Sequence, residues 1–192
     1  MTKLMLAIAI GGAFGFVLDR VGATNPDVII NMLRLARLHL MKTILFAIGI
    51  ASVLTFAGLL AGIVDPGHLD VKAAYMGVFV GGLLLGLGFA IAGYCPGTGL
   101  AAMATGRFDA LAFVIGGLAG AGAYMATYAA VEKTGLLAPI AGGKTTLGTL
   151  AGTKYAALTT ALPGEWIGLG LGVALCVIAW VLPDRLRGAP HT

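Results

Sequence analysis

Gly86-Leu-Gly-Phe-Ala-Ile-Ala-Gly-Tyr-Cys-Pro-Gly-Thr-Gly-Leu-Ala-Ala-Met-Ala-Thr-Gly-Arg-Phe108 decides how the rest of the chain reads. An apolar helix runs up to Gly93 and breaks at Cys95-Pro96-Gly97. Proline has no backbone N–H and its ring clashes with the preceding turn, so the first helix stops near Tyr94. Pro96 also suits the first position of a new helix, and a short run to Thr105 follows that cannot cross a bilayer alone. The expected product is a helix N-terminus at membrane depth, with the N–H groups of Gly97, Thr98 and Gly99 unpaired beside the thiol of Cys95. Aligned N–H groups of this kind attract anions.

Working outward, the 192 residues are 59% hydrophobic and 10% charged, against roughly 25% charged in soluble domains. The composition specifies an all-α integral membrane protein. Its 31 glycines lie inside the apolar runs rather than between them, which suits close helix packing in lipid. Gly11/Gly15, Gly82/Gly86, Gly116/Gly120 and Gly168/Gly172 are spaced as packing faces. The formal charge of +4 is scattered over segment ends without a dense stripe, so nucleic acid is excluded as a partner. Cys95 and Cys176 make no Cys-x-x-Cys pair, and His39 and His68 have no ligand spacing, so neither metal nor cofactor is expected. Cys176, in uninterrupted Val173-Ala-Leu-Cys-Val-Ile-Ala-Trp180, reads as core. Gly143-Lys-Thr145 lacks the first glycine of a phosphate loop, since Ala138 stands there. Lys3 before an apolar run imitates a signal peptide, but Asp19 and Arg20 sit where cleavage requires small neutral residues.

In chain order, apolar spans are expected over about residues 4–18, 41–64, 71–93, 108–131 and 163–182. Thr24 or Asn25 caps a short interfacial or re-entrant helix reaching Arg37, and Pro96 to Thr105 forms its counterpart. That makes about five crossings and two half-helices in a single membrane domain, 1–192. Within it, weak repeat units cover 1–64 and 71–131, a polar connection of unreadable fold covers 132–162, and the last span covers 163–183. Placing Gly15 on Gly86 brings Gly22 onto Gly93, Thr24 onto Cys95 and Asn25 onto Pro96. Interrupted helices at matching positions of two units point to a transporter's binding site. Arg20, Arg34, Arg37, Lys42, Arg107, Arg185 and Arg187 fall on one side, against Lys3, Lys72, Lys133, Lys144 and Lys154 on the other. All six arginines are in the first group, so a cytoplasmic C-terminus in the inner membrane is expected.

Gly93-Tyr-Cys-Pro-Gly-Thr-Gly99 after a glycine-rich helix, closed by Gly106-Arg107, resembles the signature of the YeeE/YedE family of sulfur-compound transporters. The resemblance extends loosely to Gly11-Gly-Ala-Phe-Gly15 and Leu18-Asp-Arg-Val-Gly22. It implies a thiosulfate importer in which membrane-buried thiols touch the substrate. The chain resembles a half-size, single-repeat member. Where the family's first motif commonly ends in Gly-Phe-Cys, this chain has Gly22-Ala23-Thr24.

Together these readings nominate Cys95, Pro96, Gly97, Thr98, Gly99, Gly93, Thr24 and Arg107 for substrate binding, with no enzymatic activity. Thr24 is either a donor to the anion or an ordinary helix cap. Asp19 and Arg20 are either a pathway pair or an interfacial one, and Arg107 with Asp109 either neutralises an anion or anchors the inside face. In one functional reading the chain is a permease or permease subunit for a small sulfur-containing anion, most simply thiosulfate. Only oriented donors placed in advance offset the cost of stripping water from a dianion, and the polarizable S–H suits a terminal sulfur. The expected partners are that anion, the bilayer, and a second copy or a related half-size subunit. In the alternative reading, Cys95 accepts sulfane sulfur and relays it to a soluble sulfur-carrier protein. A scaffold subunit without a pathway of its own is the third.

Overall fold

The computed structural model describes residues 2–140, 142–150 and 155–185. Lys154 and Arg187, used in the orientation count, and the side chain of His68 lie outside the described residues. The helices are α1 (Thr2–Arg20), α2 (Pro26–Leu33), α3 (His39–Leu60), α4 (Met76–Ala92), α5 (Pro96–Ala104), α6 (Phe108–Lys133) and α7 (Gly164–Val181). One 3₁₀ turn, Pro66–His68, and two strands, β1 (Thr145–Thr149) and β2 (Ala156–Pro163), complete the described elements.

Five helical stretches among the described residues are long and apolar enough to cross a membrane. One of them is the 29-residue run Met76–Ala104, which holds α4, the break and α5. The chain is an α-helical multi-pass membrane protein, as its composition requires. Irregular backbone at such depth is tolerated only where protein buries it or a cavity receives it. At this break Gly93 and Tyr94 are buried, and half-buried Cys95 opens onto a recess.

The chain forms two compact units. The first takes the described residues of Met1–Leu40, Gly82–Ala130 and Asp184–Thr192, and so contains both helix breaks. Each break turns on a left-handed glycine, Gly22 at φ +79 and Gly93 at φ +69. The small core beneath α5 comprises Tyr94, Ala102 and Ala110, with Met103 and Phe113 packed on it. Gly99 is needed there, because a Cβ on it would stand 2.5 Å from the Phe113 ring.

The second unit takes Met41–Gly81 and the described residues of Val131–Pro183. Its centre is a close crossing of α3 and α7 built from small residues. A Cβ on Gly168 would meet the Phe56 ring at 2.2 Å, one on Gly172 would meet Val53 at 2.9 Å, and one on Gly49 would meet Cys176 Sγ at 2.6 Å. Ser52 Oγ donates to the Gly168 carbonyl at 2.9 Å, a contact worth about 0.6 kcal/mol on average between membrane helices. Cys176 is thus a packing residue.

Among the described residues, one of the four glycine pairs packs against another helix. Gly168/Gly172 closes on α3, whereas Cβ atoms on Gly11, Gly15, Gly82, Gly86, Gly116 and Gly120 would meet nothing within 4 Å. The third span also begins later than its hydropathy suggests. Residues 71–75 are extended, and Ala74 exchanges hydrogen bonds with Gly143 and Ile140. The connection that could not be read holds the ribbon, in which β1 pairs parallel to β2 with Thr145 opposite Ala156. Gly148 lets it close on the start of α7, where a Cβ would fall 2.9 Å from Gly164 Cα.

Candidate functional site

Cys95 is the N-cap of α5, with extended backbone at φ −89 and ψ 165, and Pro96 is the first helical residue. The thiol and Thr98 form a reciprocal capping box with sulfur where Ser or Thr usually supplies oxygen. Thr98 N–H donates to Cys95 Sγ at 3.3 Å, and Cys95 N–H donates to Thr98 Oγ1 at 2.9 Å. The Thr98 hydroxyl reaches Cys95 Sγ at 3.2 Å and the Cys95 carbonyl at 3.3 Å.

This geometry changes which groups are free. Of the three amides expected to await an anion, Thr98 N–H is taken by the thiol and Gly99 N–H by the Cys95 carbonyl at 2.9 Å. Gly97 N–H has no protein partner among the described residues. Thr98 itself is only 6% exposed, so its role in this geometry is to hold the sulfur. No buried side-chain nitrogen or oxygen among the described residues lacks a partner. The donors left for a ligand are therefore the S–H and the Gly97 amide.

Cys95 and Pro96 open onto a recess of about 290 Å³ whose other wall is Gly82, Leu85, Gly86 and Phe89 of α4. The Gly82/Gly86 pair thus clears space beside the sulfur. A larger groove of about 600 Å³ lies between α1 and α5, and its lining includes Gly11, Gly15, Asp19, Gly97 and Thr105. The two free donors consequently belong to different cavities, Cys95 to the recess and Gly97 to the groove.

Thr24 is buried, and its hydroxyl donates to Asp19 Oδ1 at 2.7 Å. It does not cap α2. Asn25 does, accepting from Asp27 N–H at 3.1 Å. Matching cap to cap sets Asn25 on Cys95 and Pro26 on Pro96, which shifts the expected register of the repeat by one residue. The first break holds one more residue between its glycine and its cap. The two breaks touch directly, because a Cβ on Gly93 would be 2.8 Å from Pro26 Cβ and 3.2 Å from Ile30 Cγ1.

Arg107 does not join the thiol. It follows the C-terminal end of α5, whose nine residues at ~1.5 Å each set the two ends of the helix roughly 14 Å apart. Its guanidinium grips Asp109 with two bonds, at 3.2 and 2.9 Å, and Tyr94 OH donates to the same carboxylate at 2.8 Å. That pair is electrically neutral and fixes the turn into α6. The sequence reading missed Tyr94 as the anchor of this turn, because its partner is fifteen residues away. The thiol-holding role of Thr98 was, by contrast, written in the Cys-x-x-Thr spacing. No group of three metal-ligating side chains occurs among the described residues.

Residues 3–188 match the family model described as "Sulphur transport". Two curated relatives from Xylella fastidiosa, strains Temecula1 and 9a5c, are each described as "Probable transporter". Each is 30% identical over 126 residues, which is 62% of this chain and 85% or 86% of the relative. Both relatives are therefore shorter than this chain. No solved structure matches it.

Proposed function

The chain belongs to the sulphur transport family, and from that premise we propose that it is one half of a permease for a small sulfur-containing anion, thiosulfate by chemical fit. The observation that carries the reading is a thiol fixed at a helix start inside an apolar span, opening onto a recess of about 290 Å³. A sulfur held by Thr98 needs no reordering when substrate arrives, and preorganised donors are the ones worth most in a dry site. The S–H facing the recess suits the soft terminal sulfur of thiosulfate, and the Gly97 amide offers a hard donor to an anion in the neighbouring groove. Sulfate lacks the soft end.

A second copy or a related half-size subunit completes the pathway. Among the described residues, a Cβ on any of the six glycines of three Gly-x-x-x-Gly pairs would have open space within 4 Å, and small-residue faces are where membrane helices approach one another. An odd number of crossings also places a tandem copy in inverted orientation, the arrangement that encloses a central site in inverted-repeat transporters. The expected result is uptake of thiosulfate, labelled in both sulfurs, into liposomes holding only this chain. The rate should rise more steeply than linearly with protein density. Intact uptake by a chain shown by native mass spectrometry to be monomeric in lipid overturns the pairing. Absence of uptake at every density, in a folded chain, overturns transport by this chain alone.

The inner membrane with the C-terminus in the cytoplasm is the orientation proposed from the arginines. A C-terminal green fluorescent protein fusion should fluoresce and an alkaline phosphatase fusion should be inactive. The reverse pair of signals refutes the orientation, and two positive signals indicate insertion both ways round.

A further inference from the structure

Away from the thiol, the second unit carries a compact charged cluster. Asp70 accepts from Lys72 Nζ and, at 3.4 Å through its other oxygen, from Lys144 Nζ. Lys144 also lies over the Tyr155 ring, 5.7 Å from its centroid, within the range of a cation–π contact. Asp70 and Tyr155 line the rim of a cavity of about 330 Å³ whose wall includes Ser52, Thr146 and Gly164. The hydroxyls in that wall are committed elsewhere, Ser52 to the Gly168 carbonyl and Thr146 to the Gly148 carbonyl. Lys72 and Lys144 stand on Asp70 beside this cavity rather than in its lining, so the charged cluster faces solvent and Asp70 and Tyr155 are its link to the cavity.

Two ammonium groups around one carboxylate leave a net positive charge. Their mutual hydrogen bonds, that to Lys72 foremost, hold the Asp70 carboxyl below its ordinary value and Lys72 above its own. Both shifts favour the charged forms of Asp70 and Lys72 at neutral pH. Yet the side chains remain open to water, Lys72 at 86%, Asp70 at 57% and Lys144 at 50%, and exposed pairs of this kind are weakly held. The carboxylate is easily displaced. A dianion brings two charges to two ammonium groups, while the Tyr155 ring keeps Lys144 beside the cavity after Asp70 has left.

We propose that Lys72, Asp70 and Lys144 form a receiving site for a small free oxyanion, in which Asp70 is a tethered counter-ion that the arriving dianion displaces. The proposal rests on the reading that the transported species is an anion. Lipid phosphate offers the same chemistry to lysines at a membrane surface, and the test separates the two sources.

The test measures amine acylation at each lysine of the full chain in maltoside micelles, which contain no phosphate. Sodium thiosulfate and sodium sulfate are compared with sodium chloride at equal ionic strength. The dianions should slow modification of Lys72 and Lys144 but not of Lys133. In Asp70→Asn the half-protecting concentration should fall about fivefold, the size of one exposed ion pair's contribution. A merely structural pair predicts no protection in either protein. Lys144→Gln should raise the half-protecting concentration at Lys72 by a similar factor, which decides the matter if the Asp70 variant does not accumulate. Absence of protection, unchanged midpoints in these variants, or protection by added phosphatidylglycerol but by neither free dianion overturns the proposal. Uptake is measured in parallel on the wild type. Protection without uptake refutes the permease reading and leaves the receiving site standing; uptake without protection does the reverse.

Discussion

Cys95→Ala is expected to lower thiosulfate uptake by one to two orders of magnitude at equal membrane expression. Alanine removes the proposed donor to the substrate and, at the same time, the acceptor of the Thr98 N–H. Losing a hydrogen-bond partner in a dry site costs about 1–3 kcal/mol, and each ~1.4 kcal/mol is tenfold in rate. Cys95→Ser separates the two losses. Serine oxygen is a better helix cap than sulfur, so α5 keeps its start, and the hydroxyl remains a donor. It is a harder and better hydrated one, so partial uptake with poorer preference over competing sulfate is expected. A relay needs a nucleophilic sulfur, and there serine is as inactive as alanine. Cys176→Ala is the control. Its sulfur packs against Gly49 between α3 and α7, so the change costs about 1 kcal/mol of stability and leaves uptake per folded molecule near wild type. Full uptake by Cys95→Ala removes both the donor and the relay roles, leaving a sulfur that only fills space.

The second large effect is on folding. Gly93→Ala is expected to lower the melting temperature in detergent sharply, and Gly93→Val to abolish accumulation. At φ +69 any side chain pays roughly 1–2 kcal/mol for the left-handed conformation. Here the Cβ also meets Pro26, at 2.8 Å from its Cβ and 3.1 Å from its carbonyl oxygen. Proline is rigid and cannot swing aside, and overpacking of this kind typically adds about 1–3 kcal/mol. Gly22→Ala serves as the internal comparison. Its φ is +79, but the nearest group to a new Cβ is Val28 at 3.9 Å, so only the conformational cost remains. The difference between the two alanine variants measures the contact of one break with the other. Equal losses in the two would show that the breaks do not press on each other.

These two glycines also show what was legible in the chain. Helix punctuation is local, so the break at Gly93, the restart at Pro96 and the five apolar spans followed from residue order alone. The one-residue slip in the repeat arose because the match was laid on glycine spacing, which does not tell whether Thr24 or Asn25 is the cap. Only the commitment of Thr24 to Asp19 decides between them. Arg107 reads from the sequence, with Asp109, as neutralising an anion that leaves the short helix or as anchoring the inside face, and the Tyr94–Asp109 bond that seals the far end of α5 joins residues too far apart for periodicity to show. Residues 71–75 looked like the start of a span because hydropathy does not distinguish a membrane helix from an apolar strand-like segment. Their partners, Ile140 and Gly143, lie some seventy positions on, beyond any periodicity. The ribbon of β1 and β2 escaped for the same reason, being fixed by pairing rather than by pattern.

That one sulfur both faces the recess and caps α5 has a consequence for chemical labelling. An alkyl group on Cys95 fills the space beside Gly82 and Gly86, and it also crowds the lone pairs that accept from Thr98. Inhibition by a maleimide therefore mixes a blocked passage with a frayed helix start. Oxidation to a sulfinate acts through different physics. Its oxygens are stronger acceptors and its negative charge suits a helix N-terminus, so α5 stays capped while the recess itself turns anionic. Alkylation plugs the recess and loosens the helix; oxidation leaves the outline intact and, on the proposed reading, repels an anionic substrate.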